Sequence, residues 1–475
     1  MSGIRKSNIS PPDPNADKPY YRQIYDRFLN AFSEGVLKPG DRIPAVRALA
    51  KELGLARGTV EQAYSLLAAE GYVLSLGQAG TIVSPDIKPQ RSRPPSARSF
   101  DPLLAPVTYR PDTVLPFQMG LPALDAFPRK IWARLGARLA RAMQPEDMVH
   151  PDVRGLSTLR TQLAAYLQVS RGINCSPEQV FVTSGYRHSV ELVSHSLLNA
   201  GDSVWLESPG YPPTRRILEH MKITPVPVAV DRDGIMVPDG IKSAPRARAA
   251  VVTPAHQSPL SMSLSLPRRL ELLNWASETK AWIVEDDYDG EYRYVSRPLS
   301  ALKSLDRDGR VVYTGTFSKV LFPAIRLSYL VVPEAQIETF ERVAGDLSGG
   351  SPSFTQAIVS DFMNGGHFAR HIQRMRRLYS ERREATVAGL DLALGDRAVR
   401  IDPQPGGMHL ILRVPDVPDY ELVSRMRVDG LYAEALSDWT FEGNRMSAIL
   451  VNFTNVTSRS MAESLGIRIC KLLDA

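Results

Sequence analysis

The chain has 475 residues, 43% of them hydrophobic and 23% charged, with a formal net charge of +6. That length gives more than one domain and ample core, and that balance is the one soluble globular proteins show, so a disordered or fibrous chain is excluded. With only Cys175 and Cys470 there is neither a disulfide framework nor a cysteine-based zinc motif, and the mild basic excess favours a polyanionic partner without deciding for one.

The first residues, Met1-Ser2-Gly3-Ile4-Arg5-Lys6, lack an apolar signal core, and no later stretch is long and apolar enough to span a membrane. Both features predict a protein of a bacterial-type cytoplasm with no membrane partner. Over residues 21–32, Ile24, Phe28 and Phe32 share one face of an amphipathic helix. Residues 40–44 read as a turn, and Pro44 suits the first turn of a second helix over residues 45–53. Gly54 stops that helix, a third runs over residues 59–70, and residues 71–74 and 81–83 read as two strands around Gly77-Gln78-Ala79-Gly80. Three helices and a hairpin make a winged helix-turn-helix, whose third helix would enter the major groove of double-stranded DNA. The plainer alternative is a small packing domain that touches no DNA.

The runs Ile43-Pro44-Ala45-Val46-Arg47-Ala48-Leu49-Ala50, Leu53-Gly54-Leu55-Ala56-Arg57-Gly58-Thr59-Val60 and Ala63-Tyr64…Leu67…Glu70-Gly71-Tyr72 resemble the GntR-type DNA-binding domain. The resemblance implies DNA contacts for Arg47, Arg57 and Thr59. Two positions depart from its pattern: Ala56 stands where a capping Ser or Thr is usual, and Leu76 where the wing often carries a basic residue.

Residues 84–113 hold Pro85, Pro89, Pro94, Pro95, Pro102, Pro106 and Pro111 among Arg91, Arg93 and Arg98, without sustained periodicity. This is a linker, part extended and part flexible, whose charges are more readily solvated than bound to phosphate. The expected division is a DNA-binding domain at 1–84, a linker at 85–116 and an effector domain at 117–475.

Within the third part, Val180-Phe181-Val182 reads as a strand that turns into a helix at Ser184-Gly185. Helix-start N–H groups bind phosphate, although a bare Ser-Gly is more often only a turn. Leu206-Glu207-Ser208-Pro209-Gly210-Tyr211 closes another strand, and Tyr211 would either stack on a cofactor ring or fill the core. Ala281-Trp282-Ile283-Val284 is a buried strand ending in Glu285-Asp286-Asp287-Tyr288-Asp289. A carboxylate at such a strand end keeps a pyridinium nitrogen protonated, and a nearby tyrosine bonds the ring's phenolic oxygen. A solvated acidic turn is the bland alternative; a metal site is disfavoured for want of a His or Cys set. Val311-Val312-Tyr313 leads into Thr316-Phe317-Ser318-Lys319-Val320-Leu321-Phe322-Pro323-Ala324-Ile325-Arg326. A lysine between hydroxyl residues with an arginine downstream suits a Schiff base to an aldehyde cofactor, with Thr316, Ser318 and Arg326 on its phosphate. Taken alone, the Ser-Lys pair is equally a surface lysine beside a capping serine.

In this order the motifs resemble the fold-type I aminotransferases from about residue 117 to 475, including Gly155-Leu156…Leu159-Arg160 and the loop Pro254-Ala255-His256-Gln257-Ser258-Pro259. The resemblance implies an α/β domain that binds pyridoxal 5'-phosphate. Lys319 is then the aldimine lysine, Asp286 the partner of the pyridine nitrogen, Tyr288 the contact to the phenolic oxygen, and Tyr211 the stacking ring. Ser184, Gly185, Thr316, Ser318 and Arg326 bind phosphate. A GntR-type winged helix joined to such a domain resembles the MocR subfamily of bacterial regulators. That implies a multidomain chain, a cofactor domain used mainly as an effector sensor, a head-to-tail homodimer and residence at the nucleoid.

Two function classes compete: a regulator that responds to an amine or amino-acid effector through aldimine chemistry at Lys319, and an active aminotransferase with an accessory DNA-binding domain. The first is favoured, with at most weak transaminase-type activity. Aminotransferases usually carry Asn-Pro where this chain has Ser258-Pro259, and their substrate-carboxylate arginine has only a poor match in Arg445. His256 and Arg445 are the candidate effector contacts. In relatives that sense γ-aminobutyrate an arginine follows the stacking tyrosine by two residues; here that position is Pro213.

Overall fold

The computed structural model describes residues 12–13, 16, 18–86, 113–293, 300–348, 350–402, 406–414, 417–441 and 446–474. Contacts divide the chain into two units, Met1–Pro111 and Asp112–Ala475.

The first unit holds α1 (Tyr20–Ser33), β1 (Arg42–Ile43), α2 (Val46–Leu53), α3 (Arg57–Ala69), β2 (Val73–Ser75) and β3 (Thr81–Val83). Ile24, Phe28 and Phe32 of α1 meet Leu49 of α2 and Val60, Tyr64 and Leu67 of α3. Phe28 lies edge-on to Tyr64 with ring centres 5.5 Å apart, a geometry the aromatic quadrupole favours. Gly54 ends α2 at φ 66, a left-handed turn that costs glycine nothing. The turn expected over residues 40–44 is partly strand instead: Arg42 and Ile43 pair with Ile82 and Thr81, giving an antiparallel sheet in the order β1-β3-β2. Helix α3 starts at Arg57, two residues earlier than its sequence suggests, and Ala56 gives it no side-chain cap.

The second unit is built on one large sheet. Its strands are β4 (Val180–Thr183), β5 (Ser203–Ser208), β6 (Thr224–Asp231), β7 (Gly234–Ile235), β8 (Ala249–Val252), β9 (Trp282–Asp287), β10 (Val311–Thr316) and β11 (Ser328–Val331). Their order is β4-β11-β10-β9-β8-β5-β6-β7. Strands β10, β9, β8, β5 and β6 are parallel neighbours, whereas β11 runs antiparallel to both β4 and β10. The side-chain period of two sends Val180 and Val182 to one face, against Leu159, Leu163 and Phe362, and Phe181 to the other, against Val190, Val193 and Phe340. Both faces are therefore covered by helices, which is why these strands read as continuous apolar runs.

A second sheet, β12 (Arg400–Ile401), β13 (His409–Arg413), β14 (Glu434–Ala435) and β15 (Ile449–Asn452), is antiparallel in the order β12-β13-β15-β14. It packs Leu410, Leu412, Ile449 and Val451 against Leu390 and Leu394 of the helix His367–Leu394 and Leu465 and Ile469 of the helix Arg459–Leu473. Among the described residues no helix is long and apolar enough to cross a membrane.

Candidate cofactor pocket and DNA-binding surface

The C-terminal ends of β9 and β10 open onto a pocket of about 610 Å³, whose walls also include residues of the second sheet. Lys319 lies in the turn after β10. Buried Phe317, Val320 and Leu321 anchor that turn, and Lys319 Nζ donates to the Gly120 carbonyl at 3.0 Å. Gly120 sits at φ 76, and a Cβ there would come within 2.2 Å of Nζ, so only glycine leaves room for the amine. Burial lowers the Lys319 pKa below the usual lysine range, opposed by the fields of Glu434, Asp289 and Asp286.

Strand alternation sorts the acidic run after Val284. Glu285 accepts from the Leu302 and Lys303 amides at 2.7 and 2.8 Å. Asp287 takes Arg171 Nε at 2.5 Å and the Tyr313 hydroxyl at 2.6 Å. Asp286 faces the pocket instead. Burial, then the Asp287 charge, push its carboxyl up to about 8, against a pull downward from the Tyr186 hydroxyl. Tyr288 lines the same pocket, and its buried hydroxyl has no well-formed hydrogen bond among the described residues, with Ser258 its near polar neighbour.

Arg326 ends the short 3-10 turn Pro323–Ile325 in the left-handed region, at φ 49, an unusual place for a long side chain. The guanidinium lies against Gly185, where an added Cβ would sit 3.2 Å from Nη2. Gly185, at φ 107, starts the helix Tyr186–Leu197, whose first-turn N–H groups have no intrahelical acceptor. Thr316 and Ser318 complete this side of the pocket; the Thr316 hydroxyl accepts from the Ser318 amide at 3.1 Å and from Ser328 Oγ at 2.9 Å.

These groups fit pyridoxal 5'-phosphate. An amine of depressed basicity, a buried carboxyl of raised pKa and a tyrosine hydroxyl with no well-formed hydrogen bond among the described residues face one cavity, and an arginine meets a helix N-terminus at its edge. Among the described residues no cluster of His, Cys, Asp and Glu could hold a metal ion.

Tyr211 forms a wall of the pocket between Tyr186 and Trp439, with ring centres 5.7 and 5.6 Å away. Two expected residues sit elsewhere. The Ser184 hydroxyl is bonded to Ser351 Oγ at 3.0 Å and does not line the cavity. His256 is 1% exposed, its Nδ1 is 2.9 Å from Asp289 Oδ1, and it does not line the cavity either. The loop carrying it is folded under the pocket, because Gln257 and Thr253 bond Glu207 and Pro209. Arg445 lies outside the described residues. Met119, Gly120, Met408, His409, Glu434 and Trp439, which line the cavity from distant parts of the chain, carried no local motif; Tyr186, next to Ser184-Gly185, had a local signal but no expected role.

In the first unit Arg47 is exposed on α2, and Arg57 is exposed at the start of α3, where it pairs with Glu61 at 2.6 Å. Thr59 is half-buried two residues along. The wing exposes Leu74 and Leu76, at 42% and 48%, so its tip is apolar at the position where a basic residue would be usual.

Comparison with known proteins agrees with both halves. Residues 20–83 match the model of bacterial regulatory proteins of the gntR family, and residues 121–461 match that of aminotransferase class I and II. The chain is 36% identical over 468 residues to the "Probable rhizopine catabolism regulatory protein MocR" of Rhizobium meliloti, covering 95% of this chain and 94% of that one. It is 33% identical over 427 residues to the pyridoxine biosynthesis transcriptional regulator PdxR of Corynebacterium glutamicum, covering 88% of each. Among solved structures, the Pyrococcus horikoshii kynurenine aminotransferase in complex with PMP superposes with a TM-score of 0.68 at 25% identity, over 76% of this chain and 91% of that one. The chain belongs to the MocR-type regulators, in which a GntR-family DNA-binding domain is joined to an aminotransferase class I and II domain whose cofactor is pyridoxal 5'-phosphate.

Proposed function

We propose that this protein is a sequence-specific transcriptional regulator whose operator affinity is set by an amine or amino-acid effector bound in the Lys319 pocket. The observation that carries this reading is the pairing, in one chain, of a winged helix with exposed arginines on α2 and α3 and a pocket holding Lys319, Asp286 and Tyr288 together. In this reading Arg47, Arg57 and Thr59 contact DNA, within a domain spanning residues 1–84 that is tethered by residues 85–116 to an effector domain at 117–475. A head-to-tail homodimer in the bacterial cytoplasm, at the nucleoid, presents two such domains to a paired half-site operator.

When bound, the cofactor supplies an aldehyde that condenses with primary amines and a ring that withdraws electrons. Lys319 would hold the aldehyde through its ε-amine, and Asp286 would face the ring nitrogen and supply the anion that keeps it protonated. Tyr288 would donate to the ring oxygen, Tyr211 would cover the ring, and Gly185, Thr316, Ser318 and Arg326 would hold the phosphate, with Ser184 beside them. An effector amine would compete with Lys319 at that place, and it shifts DNA binding only by its unequal affinity for the two conformations.

The test is a joint titration. An amine effector should change the visible absorption and the operator affinity together, with negligible turnover to a keto product. Lys319→Ala should abolish the response while leaving operator binding intact. Rapid multiple turnover between a common amino donor and a keto acid, with operator affinity unmoved, would assign the chain to the aminotransferases instead.

A further inference from the structure

We propose that Glu434 reads a second cationic group on the effector, so that the pocket takes a diamine in preference to an amine with a distal carboxylate. This rests on the sensor reading above and adds the class of ligand.

Glu434 stands on the short edge strand β14 between Ala433 and Ala435, both fully buried, and its carboxylate lines the pocket that holds Lys319. Trp439 Nε1 donates to Oε2 at 3.1 Å and fixes the group. Among the described residues Oε1 has no such partner and is left to the cavity. Lys319 lies in the field of Glu434, but its amine makes its hydrogen bond to the Gly120 carbonyl. Glu434 is half-buried, and burial raises its pKa above the usual range, opposed by the Trp439 hydrogen bond and the Lys319 and Arg427 charges. A ligand cation at Oε1 opposes that rise, whereas a ligand carboxylate adds a like charge. Met119 and Met408 line the same cavity and suit a methylene spacer between two ammonium groups.

The basic groups of the pocket do not cancel this preference. Arg326 lies against Gly185, at the phosphate side. Arg187, Arg216 and His220 are exposed; Arg187 is paired with Glu191 at 3.0 Å, and His220 is turned back to the Arg216 carbonyl. Exposed charges, that of Arg427 among them, are screened by water and salt more than the half-buried Glu434 is.

The experiment uses the full-length, cofactor-loaded protein and four amines of similar length: putrescine, γ-aminobutyrate, aminobutanol and butylamine. Calorimetry, tryptophan fluorescence and operator affinity are read for each, on wild type and on Glu434→Gln. Wild type should bind putrescine at least about tenfold more tightly than the other three, about 1.4 kcal/mol. Glu434→Gln should bring that ratio close to one while keeping operator binding in the absence of amine. Equal binding of aminobutanol would make Glu434 a mere hydrogen-bond acceptor and overturn the proposal, as would tighter binding of γ-aminobutyrate or an unchanged ratio in Glu434→Gln. If no primary amine moves absorption or operator affinity, the sensor reading itself fails, a result distinct from amines acting without a cation preference.

Discussion

Asp286 is where stability and cofactor binding pull against each other. Its carboxyl is raised by burial and by Asp287 from its ordinary value of 3.8 to about 8. The folded chain therefore holds a proton there that the unfolded chain releases, and stability falls as pH rises between those two values. Asp286→Asn removes that penalty. The cofactor-free variant should melt higher than wild type at pH 8 and lose the advantage near pH 4, as followed by thermal unfolding across pH. The same variant should bind the cofactor more weakly and with a shifted visible band, because the ring nitrogen loses its anionic partner. Equal melting temperatures at pH 8 would mean that Asp286 is already neutralised by a neighbour.

At the scale of elements, the uncapped start of α3 offers the DNA-binding unit a stabilising change. Ala56 occupies its N-cap in an extended conformation, φ −63 and ψ 140, with no side-chain acceptor for the first-turn amides. That backbone is the one a capping serine uses. Ala56→Ser should therefore stabilise the unit by about 0.5–2 kcal/mol, read as a higher denaturant midpoint at unchanged slope. The core beneath α3 tolerates this, because Val60, Ala63, Tyr64 and Leu67 carry the packing and the cap adds only at the end. A lower midpoint would mean that solvent already satisfies these amides better than a side chain does.

For the whole molecule, regulation requires that the pocket and the DNA-binding surface report to each other. Coupling free energies are reciprocal, so the factor by which an amine changes operator affinity must equal the factor by which operator DNA changes amine affinity. Titrating the amine with and without saturating operator should return the same ratio as titrating the operator with and without amine. The ratio should move away from one in wild type and return to one in Lys319→Ala. Two unequal ratios would show that a further linked step, such as a change of oligomeric state, intervenes.

Chain-local physics made much of this legible from sequence. Apolar periodicity marked α1, Pro44 and Gly54 bounded α2, and buried runs marked β4, β9 and β10, because each depends on neighbours a few residues away. The motif order placed Lys319, Asp286 and Tyr288 at strand ends, and these do share a pocket. Other features depended on packing between distant segments. Arg42 and Ile43 became strand only by pairing with residues 81 and 82. His256 went to Asp289 because its loop is tied down by Glu207, and Ser184 turned to Ser351. Glu434, with no local motif to mark it, reached Lys319 because the second sheet folds over the pocket. Sequence thus determined the elements and the chemistry carried at their ends; tertiary structure decided which of those side chains share one low-dielectric cavity, since burial and partnership arise only when distant segments meet.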